Sequence, residues 1–526
     1  MELKHIDDIE KATKKGKNEL FRLGIGLLFI VGVMLYTSTL ELERGGLMLV
    51  MAAMIGGYMA MNIGANDVAN NVGPAVGSHA LTLGGALAIA AIFEAAGALI
   101  AGGDVVTTIR NGIIDPTRLP GGEAYVWLMM AALLAGALWL NIATAVGAPV
   151  STTHSIVGAI LGAGAAAAGL EVVNWNTMTE IAASWVISPV LGGVFAAGFL
   201  YLIKRSITYQ QDMVEAAVRM VPLLVALMAW AFTTYLILKG LNKVWKVGVL
   251  PATLIGLGVG VAVWLVLRPL LRSRMSRIEN SKASVNQLFT VPLIFSAALL
   301  SFAHGANDVA NAIGPLAAIY DAVSVGGGRV ADKAAIPLWV MMVGGLGISV
   351  GLALFGPKVI RTVGSEITEL DKMRAYCIAM SATITVIVAS QMGLPVSSTH
   401  IAVGGVFGVG FLREYLKANY ARMEAEIRAH HPEGDMAAIN AFLARFKAAS
   451  VQEKGEMLAE LKRRSKMRMD PANFSKLERK GLKRVYRQEL VKRSQLLKIA
   501  AAWVITVPAS ALLAAMLFFM IKGMSV

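Results

Sequence analysis

The 526 residues are 56% hydrophobic, with a mean hydropathy of +0.63, and only 16% are charged, against about 25% in an ordinary soluble domain. That excludes a soluble globular fold, and the absence of short alternating segments excludes a β-barrel. The net charge of +14 does not call for nucleic acid, because basic residues in a membrane protein gather in cytoplasmic loops.

Apolar runs long enough to cross the roughly 30 Å hydrocarbon core recur along the chain. We count about thirteen, at 21–38, 46–66, 82–101, 124–145, 149–170, 181–203, 221–239, 245–267, 289–312, 336–356, 375–394, 396–412 and 499–521. The first follows a lysine-rich stretch (Lys11, Lys14, Lys15, Lys17) but is long and has no small-residue cleavage site after it, so it reads as a retained helix. Cys377 is the only cysteine; it cannot form an intramolecular disulfide and reads as a buried apolar filler.

Charge then orients the spans. Residues 411–497 hold 20 Lys and Arg against 11 Asp and Glu, and the N-terminus, the 204–219 loop and the 268–282 loop are also basic. Placing all four in the cytoplasm requires even numbers of crossings between them, and the spans give six, two and four. The 357–374 loop then falls inside and the acidic 171–180 segment outside. Lys243 and Lys246 face outward in this scheme, against the rule.

Two motifs occur twice. GANDVANNVGP at 64–74 returns as GANDVANAIGP at 305–315, and VGAPVSTTHSIVGAILGAG at 146–164 returns as MGLPVSSTHIAVGGVFGVG at 392–410. Seven crossings separate each pair, so the copies are expected to lie in opposite orientations, the inverted repeat of secondary transporters. The expected architecture is an all-α polytopic membrane protein with interrupted helices at the binding site. Its parts are an N-terminal segment with an extra helix (1–45), repeat 1 (46–203), a linking region (204–284), repeat 2 (285–412), a basic cytoplasmic loop (413–498), expected to be helical, and a final helix (499–526) that completes repeat 2.

Asn66, Asp67, Asn70 and Asn71 lie in an apolar stretch, as do Asn307, Asp308 and Asn311. Polar groups at such depth are costly and mark cavities or ion paths. Asp67 and Asn70 share a helical face, as do Asp308 and Asn311, and the Gly73-Pro74 pair predicts a helix break that frees backbone groups. Ser151, Thr152, Thr153 and His154, with Ser397, Ser398, Thr399 and His400, read as helix starts whose hydroxyls cap and whose N–H groups favour an anion. The competing reading is a polar seam between helices.

A carboxylate alone repels an oxyanion, and hydroxyls alone need no cation. Both motifs around one centre point to anion and cation bound together. The candidate anion ligands are Asn70, Asn311, Ser151, Thr152, Thr153, Ser397, Ser398 and Thr399. The candidate cation ligands are Asp67, Asn66, Asp308, Asn307 and Glu94, with Na+ or H+ as the ion. Glu94 has no counterpart in the second copy and is either an asymmetric cation or proton site or a helix-to-helix hydrogen bonder. Gln391 and Asn141 are weaker candidates. His154 and His400 are expected to orient helix caps, not to bind metal. His304, matched by Ile63, is not expected to be a symmetric ligand. An intramembrane hydrolase using Ser151 or Ser397 lacks the spacing for a nucleophile and base, and a passive channel would lack coupling.

At these residues the sequence resembles the inorganic phosphate transporter family, the PiT-type permeases, whose signature is the duplicated GANDVAN element, accompanied here by PVSTTH and PVSSTH. The likeness covers about 46–203 and 285–412 plus the last span. It implies phosphate as substrate, no cofactor, import by cotransport with Na+ or H+, and no enzymatic activity. The N-D-V-A-N form in both copies looks like that of sodium-coupled members. Some members carry sulfate, and sulfate or metal–phosphate carriage is the alternative reading. Expected surroundings are the cell membrane and its lipids, a cytoplasmic N-terminus, an outside C-terminus and, in the assembled state, a homodimer.

Overall fold

The computed structural model describes residues 2–40, 46–145, 150–240, 246–274, 278–324, 336–366, 371–429, 436–448, 457, 460 and 493–524. Helices account for nearly all of them. In chain order they are α1 (Glu2–Ser38), α2 (Gly46–Gly77), α3 (Leu83–Ala101), α4 (Gly103–Thr107), α5 (Gly122–Ala145), α6 (Thr152–Ala168), α7 (Trp175–Ile203), α8 (Met213–Lys239) and α9 (Val249–Arg274). Then follow α10 (Lys282–Leu288), α11 (Thr290–Asp308), α12 (Ala310–Ser324), α13 (Leu338–Glu366), α14 (Lys372–Gln391), α15 (Ser398–Ala429), α16 (Met436–Ala448) and α17 (Arg493–Met524).

Among the described residues, eleven of the thirteen expected spans, one of them made of α11 and α12 together, are long and apolar enough to cross a membrane. The two expected spans outside this set are those that begin at the hydroxyl motifs. α6 has only 17 residues, and α15 runs on past the apolar stretch into polar sequence. Both start inside the protein, at the buried caps Ser151 and Ser397, so the apolar part of each is shorter than that of a helix entering from the surface. The exterior of the bundle is apolar, with Leu27, Leu28, Val186, Val190, Leu254 and Leu265 all exposed, as suits a lipid-facing surface.

The expected break after Gly73 does not form. α2 continues through Pro74 to Gly77, and in the second copy the interruption is the single residue Val309, directly after Asp308 and ahead of Pro315. A proline inside a helix removes one backbone bond, a loss that neighbouring helices accommodate in a membrane bundle. Pro149, Lys243 and most of the 449–492 part of the basic loop lie outside the described residues. Of the rest of that loop, α15 to Ala429 and α16 are helical.

The helices that carry the motifs pack in crossed pairs, α2 against α13 and α11 against α3. The contacts are close because glycine is there. A Cβ on Gly64 would overlap the carbonyl oxygen of Ile348, and one on Gly351 that of Met61. At the equivalent positions, a Cβ on Gly305 would overlap the carbonyl oxygen of Glu94, and one on Gly97 that of Phe302. A second set joins α6 to α17 and α15 to α7. There Gly162 meets the Ala511 carbonyl, and Gly408, its sequence equivalent, meets that of Gly193.

The segment after α3 forms a strut. Within the π-helical turn Thr108–Gly112, the buried Arg110 pairs with Asp321 of α12 at 2.6 Å and its carbonyl accepts from the Tyr125 hydroxyl at 2.6 Å. Thr108 Oγ1 donates to the carbonyl of Gly393 at 2.7 Å, and Trp185 Nε1 to that of Pro395 at 3.2 Å. These bonds fix the bend before α15, where Gly393 takes φ +69°, a conformation that favours glycine. Cys377 is buried, as expected.

If the crossed pairs depend on this close approach, Gly64→Ala and Gly305→Ala will each lower the thermal midpoint of the purified protein. The expected loss is the 1–3 kcal/mol typical of overpacking, and an unchanged midpoint for both would contradict the contact.

Candidate functional site

The two copies of each motif converge. Asp67 and Asp308 are fully buried, and the hydroxyl helix starts of both copies close around them. Ser151 Oγ accepts from the backbone N–H of His154 at 3.1 Å and Ser397 Oγ from that of His400 at 3.3 Å, the N-caps expected from the sequence. Capping uses an acceptor lone pair of each serine and leaves its hydroxyl hydrogen available.

Each carboxylate receives one hydroxyl from its own copy and one from the other. Asp67 accepts from Thr152 at 3.0 Å and from Thr399 at 3.4 Å. Asp308 accepts from Ser398 at 3.0 Å and from Thr153 at 3.5 Å. The asparagines reach only hydroxyls of the other copy. Asn70 Nδ2 lies 2.7 Å from Thr399 Oγ1, and Asn311 Nδ2 lies 3.1 Å from Thr153 Oγ1 and 3.3 Å from Thr152 Oγ1. Asn311 Oδ1 is buried without a hydrogen-bond partner among the described residues. A buried acceptor left unpaired is uncommon and suits a position that a ligand completes.

Asn66 and Asn307 act behind this ring. Asn307 Nδ2 donates to Ser390 Oγ at 2.9 Å and to the Leu394 carbonyl at 3.1 Å, and its Oδ1 accepts from Val396 N at 3.3 Å. Asn66, with its amide turned to accept from Thr144 at 3.0 Å, donates to the Val150 carbonyl at 3.2 Å and to Asp67 Oδ1 at 3.0 Å. They tie the motif helices to the chain just ahead of α6 and α15. The weaker candidates stay apart from the centre. Asn141 bonds Asn62 at 3.3 Å along the α2–α5 seam, and Gln391 is exposed.

Sequence reasoning set His304 aside because its equivalent is Ile63. In the structure it stands at the centre. Its Nε2 lies 2.8 Å from Asp308 Oδ2 and 3.4 Å from Asp67 Oδ2, and its Nδ1 lies 3.1 Å from Glu94 Oε2. Asn71 Nδ2 donates to Glu94 Oε1 at 2.8 Å. Glu94 is therefore a bonding partner of two motif helices, and one ligand atom each from Asp67, His304 and Asp308 lie within 4.8 Å of one another. The other residues missed were Thr144 and Ser390, whose signal was a hydroxyl six residues before the valine of both PVS motifs. His154 and His400 stack on each other at 4.4 Å between ring centroids, with Trp185 on His154 at 3.8 Å. They buttress the two helix starts, and Ser151 meets the backbone N–H of His154, which is not a nucleophile–base arrangement.

The pattern of the phosphate transporter family matches residues 63–514, both motif pairs included. The chain belongs to the phosphate transporter family. A Helicobacter pylori relative that carries the name phosphate permease is 52% identical over 98% of each chain. One from Pyrococcus abyssi, of the same name, is 41% identical over 69% of this chain and 89% of its own. A solved structure titled the sodium-dependent phosphate transporter superposes with a TM-score of 0.72 at 31% identity, covering 90% of this chain and 99% of that one. This family member is thus a multi-pass membrane transporter, not an enzyme, and phosphate is the substrate of its family.

Thr153→Val and Thr399→Val each delete a hydroxyl that contacts both a carboxylate and an asparagine. Hydrogen bonds to charged groups contribute about 1.5–3 kcal/mol, so each variant is expected to weaken apparent phosphate affinity by about tenfold or more in labelled uptake. Asn141→Ala should leave it unchanged.

Proposed function

We propose that the chain imports inorganic phosphate across the cell membrane by symport, with Na+ as the coupling ion. The observation that carries this reading is the sharing of hydroxyls. Thr399 stands between Asn70 and Asp67, and Thr153 between Asn311 and Asp308, so the groups suited to an oxyanion and those suited to a cation meet at the same atoms. An anion bound by Asn70, Asn311 and the hydroxyls of Ser151, Thr152, Thr153, Ser397, Ser398 and Thr399 would lie against Asp67 and Asp308. A cation on those carboxylates, with Asn66, Asn307 and Glu94 in support, removes the repulsion. Each ion then strengthens binding of the other, which is the thermodynamic basis of coupling.

Oxygen ligands from carboxylate, amide and hydroxyl groups suit a hard cation such as Na+, and the sodium-dependent structural relative supports that choice. The two copies are read as inverted repeats, 46–203 against 285–412 with the final helix, which accounts for the matched glycine contacts. The N-terminus and the 413–498 loop are assigned to the cytoplasm and the C-terminus to the outside. A homodimer and contact of the basic loop with anionic lipid belong to the same reading.

Uptake of labelled phosphate into proteoliposomes tests it. An inward Na+ gradient is expected to drive accumulation at fixed pH, and a pH gradient alone is not. Accumulation driven by the pH gradient alone would transfer the coupling role to H+, and full inhibition by equimolar sulfate would displace phosphate as the preferred substrate. Asp67→Asn and Asp308→Asn are each expected to abolish gradient-driven uptake.

A further inference from the structure

Two sets of crossed helices meet at the centre. The set of α2, α11 and α12, packed with α13 and α3, carries the carboxylates and asparagines, and the set of α6 and α15, packed with α17 and α7, carries the hydroxyls. At the end of the bundle where α12 finishes, residues 108–115 bridge the two. Towards the hydroxyl set, Thr108 Oγ1 donates to the carbonyl of Gly393, in the bend that leads into α15, at 2.7 Å. The Tyr125 hydroxyl of α5, the helix that leads into α6, donates to the Arg110 carbonyl at 2.6 Å. Ile114 forms an antiparallel bridge with Val173, in the link between α6 and α7, where Asp115 N donates to the Val172 carbonyl and Asn174 N to that of Ile113, both at 2.9 Å. Towards the carboxylate set, Ile109 packs on α12 at Gly314, where a Cβ would overlap its side chain. Two turns further along α12, Asp321 pairs with Arg110 at 2.6 Å, and both side chains are buried.

We propose that the Arg110–Asp321 ion pair is a latch that holds the outer end of the protein closed and parts when the centre opens to the outside. Its sidedness rests on the proposed transport orientation, in which α12 ends outside. Buried charges suit a reversible joint better than a permanent one. Their attraction is largely offset by the hydration that both give up, so an apolar pair of similar volume holds as well or better. When opening admits water, both charges regain hydration, and the closed and open states stay close in free energy. The backbone bridge and the two hydrogen bonds keep the turn with the hydroxyl set, so the ion pair is the contact that separates. The turn is π-helical, a form found mostly at functional sites. The latch also belongs to one end. Counted from the GANDVAN motif, the position of Asp321 in the other copy is Ala80, so the repeat supplies no acidic partner there.

Thiol labelling in right-side-out membrane vesicles tests the latch without reference to phosphate. With Cys377→Ala as background, Ala317→Cys places a single thiol at a buried position of α12 on the face that Asp321 shares. A membrane-impermeant thiol reagent added outside then reads how often that end opens. Asp321→Asn leaves the Arg110 charge buried without its counter-ion and is expected to speed labelling by about tenfold or more. Arg110→Met combined with Asp321→Val keeps the volume without the charges. It is expected to slow labelling and Na+-driven phosphate uptake below those of the natural pair, with the thermal midpoint unchanged or raised. A fixed structural joint would respond in one direction only, loosened by Asp321→Asn and unaffected in opening by the apolar pair. In a second variant, Arg110→Cys with Asp321→Cys, a short bis-methanethiosulfonate linker is expected to stop uptake and a thiol reductant to restore it. Labelling of Asp321→Asn at the natural rate, labelling of the apolar pair at or above that rate, or uptake indifferent to the linker overturns the proposal. Opposite labelling shifts in the two variants with uptake indifferent to Na+ remove only the coupling assignment. Na+-driven uptake with labelling unmoved by either variant removes only the latch.

Discussion

Two carboxylates buried within a few ångströms of each other repel, and at low local dielectric the repulsion is far larger than in water. Asp67 and Asp308 are both fully buried, and both approach the same nitrogen of His304. The remainder of the centre answers that constraint. Hydroxyls from four positions donate to the pair, and an imidazole lies between them. The fold has to bring these groups together across more than 200 residues of chain. It does so through glycine-backed helix crossings in which each copy's motif helix packs on a helix of the other copy.

Duplication and asymmetry carry different information here. What is duplicated (Asp, Asn, Thr and the capping Ser) has matched bonds on both sides, so a single ligand in the middle meets nearly equivalent surroundings from each copy. What is not duplicated, the Asn71–Glu94–His304 chain, makes the two carboxylates unequal: Asp308 lies 2.8 Å from Nε2 and Asp67 3.4 Å. A transporter built from two similar motif copies thereby presents two dissimilar carboxylates.

Much of this was legible in the sequence because the residue types are costly where they stand. An aspartate in an apolar run, and a hydroxyl triplet after a proline, each announce a site, and their repetition announces a shared one. Ser151 and Ser397 cap as their position predicts. The sequence could not show which helix packs on which, since the crossings depend on glycines that look like any others in a glycine-rich chain. Repetition also misled. Used as a filter it put His304 aside, although a unique polar residue at the rim of a duplicated motif is informative for being unique. The Gly73-Pro74 break failed for a different reason: proline removes only one backbone bond of a helix, a loss a membrane bundle can accommodate.

The arrangement also bears on how a buried centre is reached. The carboxylates and asparagines ride on α2, α11 and α12, crossed with α13 and α3, while the hydroxyls ride on α6 and α15, crossed with α17 and α7. Each group of crossed helices holds members of both copies, and the contacts that close the centre, Thr152 to Asp67 and Ser398 to Asp308 among them, run from one group to the other. Under the proposed transport reading, access parts hydroxyl–carboxylate bonds between groups, not the glycine crossings within them. Such bonds are replaceable one for one by bonds to an ion or to phosphate oxygens, whereas a carbonyl packed on a glycine has no substitute partner. Ligand binding and opening then draw on the same few hydrogen bonds, so occupancy and conformation are tied at the atoms of the site itself.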